Sequence, residues 1–193
     1  MDAAKKTRPT RNPQHAFVSP DDAPPATPKI FDELSLPYAG KSLPLRRFKG
    51  KGYVVVNIKS DDPQALKQLP ALAYLSSKYF AQGLRVLAFP SDQGYFEPDI
   101  ADMIRAKYFQ QYSFGQFPAA VVFDKVDVIG KTAHPLWRYL NDELPNPNGV
   151  ARVTLNFEKF LLDEDFRPVR RYPRLYDGYE MERDVAALLA GDQ

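Results

Sequence analysis

Residues 53–65 read YVVVNIKSDDPQA and carry the clearest structural pattern of the chain. Its first six residues form an almost continuous apolar run, which is typical of a strand that is covered on both faces. A polar turn follows, and Pro63 fits such a turn. The stretch therefore predicts a buried strand that ends in a turn, with Asp62 at the tip of that turn.

A helix and a second strand follow this turn. Apolar residues recur at helical spacing after Pro70, which we expect in the first turn of the helix, where a missing N–H costs little. Gly83 fits the end of the helix, and LRVLAFP (84–90) is a second buried run. A strand, a helix and a strand in this order predict a right-handed parallel crossover.

The rest of the chain predicts further strands and helices around this unit. Upstream, residues 29–52 predict a short hairpin with its turn at 38–41. Downstream, the predicted elements are a helix (99–112), a strand (119–126), a helix (134–144), two antiparallel strands (148–172) joined by a turn (163–166), and a helix (179–191) closed by Gly191.

The N-terminal residues 1–28 differ from the rest of the chain. They contain six prolines and almost no apolar periodicity, so they cannot form a core of their own. They lack the apolar region of a secretory signal, and the prolines oppose the long amphipathic helix of a transit peptide. We therefore expect an extended proline-rich tail (1–28) that packs on neighbouring proteins, followed by one domain (29–193). The basic head of the tail consists of Lys5, Lys6, Arg8 and Arg11.

Composition excludes several classes of function. The chain contains no cysteine, which excludes a disulfide framework, a thiolate zinc site and a cysteine nucleophile. Its two histidines, His15 and His134, are too far apart for an ordinary histidine metal site. A net charge of +2 gives no specific signal for nucleic acid, and no apolar run is long enough to cross a membrane. We expect no metal and no cofactor.

Four phrases of the sequence resemble the glutathione peroxidase family, which has a thioredoxin-like fold. They are FKGKGYVVVNIKS (48–60), GLRVLAFPSDQ (83–93), FDKVDVIGKTAHPLW (123–137) and LNFEKFLLDEDFRPVRRY (155–172). The resemblance runs through most of the domain. It implies an α/β, thioredoxin-like domain of the glutathione peroxidase type, with a central mixed β-sheet flanked by helices.

The resemblance also places the family's catalytic tetrad on this chain. The family uses a cysteine or selenocysteine, a glutamine, a tryptophan and an asparagine. The matching positions here are Asp62, Gln93, Leu155 and Asn156. Peroxide reduction needs a chalcogen that is oxidised and then reduced, and a carboxylate has no such cycle. Leu155 also lacks the indole N–H. The resemblance therefore implies an inactive peroxidase homologue.

The residue types themselves favour plainer roles. Gln93 and Asn156 can each hydrogen-bond the backbone of a loop. Asp61 and Asp62 are typical of solvated side chains at a helix entrance. Nothing in the spacing of Ser91 and His134 suggests a hydrolase, because no third member of a triad is evident.

Three hypotheses of function follow. We favour a non-catalytic structural or accessory subunit of a larger assembly. A regulator could instead bind a small ligand or a peptide in the remnant pocket near Asp62, Gln93 and Asn156. An enzyme with new chemistry would use Asp62 as a general base, which requires a raised pKa.

The aromatic and basic C-terminal segment 170–183 is the first candidate for a partner surface, because tyrosine and arginine are enriched at interfaces. Segment 110–123 is the second. We expect an intracellular location, with a mitochondrial complex ahead of the cytosol or the cytoskeleton. The residues predicted to bind a partner are those of the basic head named above and Arg170, Arg171, Tyr172, Arg174, Tyr176 and Tyr179.

Overall fold

A computed structural model of the chain describes residues 16–17, 33–93, 99–146, 148–150, 152–153 and 156–191. The strands are β1 (Ala16–Phe17), β2 (Ser35–Tyr38), β3 (Lys41–Pro44), β4 (Gly52–Ile58), β5 (Leu84–Pro90), β6 (Ala120–Val122), β7 (Lys159–Leu162) and β8 (Pro168–Tyr172). The helices are α1 (Ala65–Tyr79), α2 (Ala101–Tyr112), α3 (Pro135–Glu143) and α4 (Gly178–Ala190).

Six of these strands form one mixed sheet in the order β1-β8-β7-β4-β5-β6. Strands β4, β5 and β6 run parallel, whereas β7 pairs antiparallel with both β4 and β8. Helix α1 connects β4 to its parallel neighbour β5, so the predicted parallel crossover is confirmed. The hairpin β2–β3 forms a separate two-stranded sheet.

Strand β4 lies at the centre because both of its faces are apolar. All of its residues are buried, and alternate side chains point to opposite faces of the sheet. Val54 and Val56 pack in one apolar cluster with residues of α1, α2 and α4. Tyr53 and Val55 pack in a second cluster, which includes Trp137 of α3. A continuous apolar run is therefore what this position in the sheet requires.

Helix α1 begins earlier than the sequence predicts. It starts at Ala65, so Pro70 lies inside the helix and the prediction of a first-turn proline was wrong. Ala65 and Leu69 are buried in the core, and this packing extends the helix back past the proline. Pro70 has no N–H to donate to the carbonyl of Leu66, which leaves one helical hydrogen bond unmade.

Most other predicted elements are present. The hairpin turn is confirmed, and its two central residues, Ala39 and Gly40, have φ of 50° and 71°, as a type I′ turn requires. The strand predicted over 119–126 is shorter, at 120–122. Gly191 follows α4 with φ of 77°.

The tail predicted over residues 1–28 lies outside the described residues, apart from the backbone of β1, which pairs with β8. The division into tail and domain therefore stays a prediction. Within the described ranges, none of the helices has both the length and the apolar character that crossing a bilayer needs.

Candidate functional site

Asp62 closes the turn between β4 and α1. Its backbone carbonyl accepts the N–H of Ala65 at 2.8 Å, and its Oδ1 accepts the N–H of Gln64 at 2.9 Å. The side chain of Asp61 is 52% exposed, but that of Asp62 is only 6% exposed. The interpretation of both aspartates as solvated side chains was therefore wrong for Asp62, which is buried.

The buried carboxylate of Asp62 is held by Arg174. Nη2 of Arg174 lies 2.6 Å from Oδ1, and Nη1 contacts Oδ2, so the two groups meet through two parallel hydrogen bonds. Nδ2 of Asn156 donates to Oδ2 at 3.2 Å. Together with the N–H of Gln64, these donors occupy both oxygens of the carboxylate.

These donors keep Asp62 ionised. Burial raises the pKa of Asp62, but hydrogen bonds from Arg174, the Gln64 N–H and Asn156 outweigh burial and hold that pKa below its ordinary value. A general base needs the opposite shift. The raised pKa that the hypothesis of Asp62-based catalysis requires is therefore contradicted.

The side chain of Gln93 hydrogen-bonds the backbone of a loop. Its Oε1 accepts the N–H groups of Val128 and Ile129 at 2.6 and 2.7 Å, and its Nε2 donates to the carbonyl of Ile129 at 2.8 Å. The backbone-bonding role predicted for Gln93 is confirmed. Asn156 instead bonds the side chain of Asp62, so the structure brings these two predicted tetrad positions together. Leu155 lies outside the described residues.

A buried lysine is connected to Arg174 through the side chain of Gln68. Lys159 of β7 is fully buried, and its Nζ donates to Oε1 of Gln68 at 2.9 Å and to the carbonyl of Phe157. Nε2 of Gln68 in turn donates to the backbone carbonyl of Arg174 at 2.8 Å. Burial lowers the pKa of Lys159 to about 7. The sequence analysis did not predict these linked hydrogen bonds. The one feature of the sequence that indicates them is a lysine within an apolar strand.

Two residues predicted to bind a partner lie in the interior. Arg171 is 2% exposed, and its Nε donates to Oε2 of Glu158 at 3.0 Å. Tyr172 is fully buried and donates to Asp184 at 2.8 Å. Both belong to β8, which has a neighbouring strand on each side, and their side chains pack into the molecule. This corrects the predicted surface at these two positions.

The other predicted partner residues differ in exposure. Tyr179 is 53% exposed, whereas Tyr176 is half-buried and stacks on Tyr172. Arg170 forms an ion pair with Asp184, and Arg174 forms an ion pair with Asp62. The four residues of the basic head, Lys5, Lys6, Arg8 and Arg11, lie outside the described residues.

His134 and Ser91 have separate structural tasks. Nδ1 of His134 accepts the N–H of Leu136 at 3.3 Å at the start of α3, and its Nε2 lies 3.2 Å from the carbonyl of Ser35. Burial lowers the pKa of His134. Oγ of Ser91 accepts the N–H of Gln93 at 3.2 Å. Across the described part of the chain, no group of three His, Asp or Glu side chains is placed to hold a metal.

Comparisons with known proteins place this geometry in a family. The family model described as glutathione peroxidase matches residues 30–141. "Phospholipid hydroperoxide glutathione peroxidase 1, chloroplastic" of Arabidopsis thaliana is 35% identical over 78% of this chain and 62% of its own length. The chain therefore spans less than two thirds of that relative. "Probable glutathione peroxidase 3, mitochondrial" of Arabidopsis thaliana is 31% identical over 89% of this chain and 82% of its own length.

Solved structures agree with the sequence comparisons. The crystal structure of T. cruzi GPX1 is 26% identical, with a TM-score of 0.63 over 83% of this chain and 97% of that chain. A thioredoxin family protein from Chlorobium tepidum TLS has a TM-score of 0.55 at 16% identity over 81% of this chain and 92% of its own, which shows the fold alone. The fold is thioredoxin-like, and the chain belongs to the glutathione peroxidase family.

Proposed function

We propose that this chain is a non-catalytic glutathione-peroxidase-like pseudoenzyme that acts as a structural or accessory subunit of a larger protein assembly. One observation carries the proposal. The carboxylate of Asp62, at the position that the resemblance assigns to the family's peroxidatic cysteine, is held by Arg174, Gln64 and Asn156. Such a group cannot take an oxygen atom from a peroxide and be reduced again by a thiol.

The bonds of Asp62 give this position a structural task. Arg174 lies 112 residues further along the chain, so the ion pair ties the segment between β8 and α4 to the turn before α1. A second contact, from Gln68 of α1 to the carbonyl of Arg174, reinforces the same junction. A position that delivers a nucleophile in active relatives here joins two distant parts of the fold. This supports a scaffold role.

The assembly and its location are part of the proposal. The proline-rich residues 1–28, with their basic head, have the composition of a segment that gains order on a partner. Relatives carry both mitochondrial and chloroplastic in their names. The mitochondrion ahead of the cytosol or the cytoskeleton is our proposal for this chain.

The alternative of a ligand-binding regulator has less support. The polar atoms of Asp62 and Asn156 bond each other, and those of Gln93 bond the 128–129 backbone. A ligand at these side chains would first have to displace those bonds, at a cost of about 1–3 kcal/mol for each buried group left unpaired.

The pseudoenzyme part of the proposal is tested by peroxide consumption. We expect the purified chain to remove hydrogen peroxide and a phospholipid hydroperoxide no faster than buffer, with either glutathione or thioredoxin as reductant. Asp62→Cys is the matched control. Arg174 would lower the pKa of the new thiol, so we expect peroxide-dependent sulfenic acid in this variant alone. Turnover by the unaltered chain would contradict the proposal.

A further inference from the structure

The hairpin β2–β3 presents an edge that the rest of the described chain leaves open. Tyr38 and Lys41 flank the two-residue type I′ turn, so they form the hydrogen-bonded pair, and Pro37 and Ser42 form the next, non-bonded pair. The carbonyl of Pro37 accordingly points away from β3 and accepts the N–H of Asp124 at 2.9 Å. By the same geometry, the N–H and carbonyl of Ser42 point outward from β3. Ser42 is exposed, and no contact from the described residues reaches these two groups.

A pocket lies beside the hairpin and is lined in part by Lys41 and Leu43 of β3. It is open and has a volume of about 330 Å³. Its apolar part includes Phe117, which is 49% exposed and packs edge-on against buried Phe48 at 5.9 Å between ring centroids. The residues that line it are Tyr38, Ala39, Lys41, Leu43, Arg47 and Phe117.

The surface around the pocket is strongly basic. Five exposed cations lie within residues 41–51, and none of them forms an ion pair with a described residue. The nearby carboxylate of Asp124 is engaged by Arg105 at 2.9 Å and by the N–H groups of Ala39 and Gly40. The charge that this surface presents to a partner is therefore positive. The five cations are Lys41, Arg46, Arg47, Lys49 and Lys51.

We propose that the outer edge of β3 binds an extended acidic peptide segment of a partner protein as an added strand. The N–H and carbonyl of Ser42 would pair with the peptide backbone. The side chains of a strand alternate between its two faces. Lys41 and Leu43 are two residues apart and therefore share the face of β3 that carries the pocket. On the peptide face that meets this pocket, apolar side chains would enter beside Leu43 and Phe117. Acidic side chains two residues away on the same face would meet Lys41 and Arg47. This inference rests on the proposed function and deepens it by naming a class of partner.

The exposed backbone pair favours a peptide over a nucleic acid. A single-stranded nucleic acid would use the basic surface and an exposed ring, and it would have no need of the Ser42 N–H. A peptide strand uses all three features of this surface, which are the edge, the apolar pocket and the charge.

The test measures binding of a fluorescein-labelled peptide to the full chain by fluorescence anisotropy. Valine and glutamate alternate along one face of the peptide strand, and serine occupies the intervening positions. Ser42→Pro removes the outward N–H without removing a hydrogen bond of the hairpin, and Ser42→Ala keeps the N–H. The double variant Lys41→Glu, Arg47→Glu reverses the charge at the pocket. Arg183→Glu reverses an exposed charge on α4 as its control. Thermal unfolding establishes that each variant is folded.

We expect Ser42→Pro and the double charge reversal each to weaken peptide binding about tenfold or more, and the two controls to change it less than about twofold. A peptide with lysine in place of glutamate should not bind. The proposal is overturned if the acidic peptide does not bind, if Ser42→Pro leaves its affinity unchanged, or if the lysine peptide binds equally. It is also overturned if polyuridylate binds this surface more tightly than the peptide and independently of Ser42→Pro. The peroxide assay is independent of all these outcomes, so the two proposals can fail separately.

Discussion

Replacing Arg174 with methionine is expected to lower the free energy of unfolding by about 2–3 kcal/mol at pH 7. The change leaves the buried Asp62 carboxylate with only the Gln64 N–H and Asn156 as donors. Arg174 itself is 22% exposed, which lets water reach the pair, so the expected loss is below the roughly 3–5 kcal/mol of a fully buried ion pair. The measurement is equilibrium unfolding in urea.

A double-mutant cycle separates the ion pair from other effects of the substitution. Asp62→Asn and Arg174→Met are combined, and the coupling energy is expected to be about 1 kcal/mol or more. Arg138→Met is the control, because Arg138 is exposed on α3 and forms no ion pair with a described residue. A coupling near zero would contradict the structural task assigned to this pair.

The pair also has a pH signature. The pKa of Asp62 is lowered in the folded chain, so its contribution to stability is present above the unfolded pKa of about 4 and is lost as the pH falls further. We expect the stability difference between the unaltered chain and Arg174→Met to shrink below that pH.

Lys159 is expected to make the chain more stable as the pH rises from about 7 towards 10. Its pKa in the folded chain is lowered to about 7, whereas the unfolded chain keeps the proton up to the ordinary value of 10.5. Between these values the unfolded state binds more protons, so the free energy of unfolding rises with pH. The rise is up to about 1.4 kcal/mol per pH unit.

Lys159→Met tests this expectation. Unfolding in urea at pH 7, 8 and 9 should show a rise of about 2 kcal/mol for the unaltered chain relative to the variant. The variant leaves Oε1 of Gln68 and the carbonyl of Phe157 without this donor, a cost that does not depend on pH in this range. Lys131→Met, at an exposed lysine, is the control. Parallel pH curves for the unaltered chain and Lys159→Met would contradict the assignment.

The strands of the domain could be predicted from local pattern, but the contacts at the site could not. The apolar run of β4, the crossover to β5 and the turn at Ala39 and Gly40 each depend on neighbouring residues. The ion pair of Asp62 depends on Arg174, which is remote in sequence and lies in an irregular segment. Local pattern therefore located the turn and missed its partner.

The burial of basic and tyrosine side chains in β7 and β8 was a second feature that the sequence did not predict. A segment rich in arginine and tyrosine is typical of an interface. Arg171 and Tyr172 nevertheless point inward, because buried Glu158 and half-buried Asp184 supply acceptors. Lys159 is buried for a similar reason, since Gln68 and the Phe157 carbonyl accept hydrogen bonds from its ammonium group. Whether a charged side chain is buried depends on such partners, and those come from elsewhere in the fold.

Native sizing of the tagged chain, purified at low salt from its natural source, tests the subunit role. Mass spectrometry identifies the proteins that migrate with it. We expect the chain to migrate with one defined complex far larger than its own 21.9 kDa, and we expect deletion of residues 1–28 to weaken this association. A lone species near 21.9 kDa would contradict the subunit role.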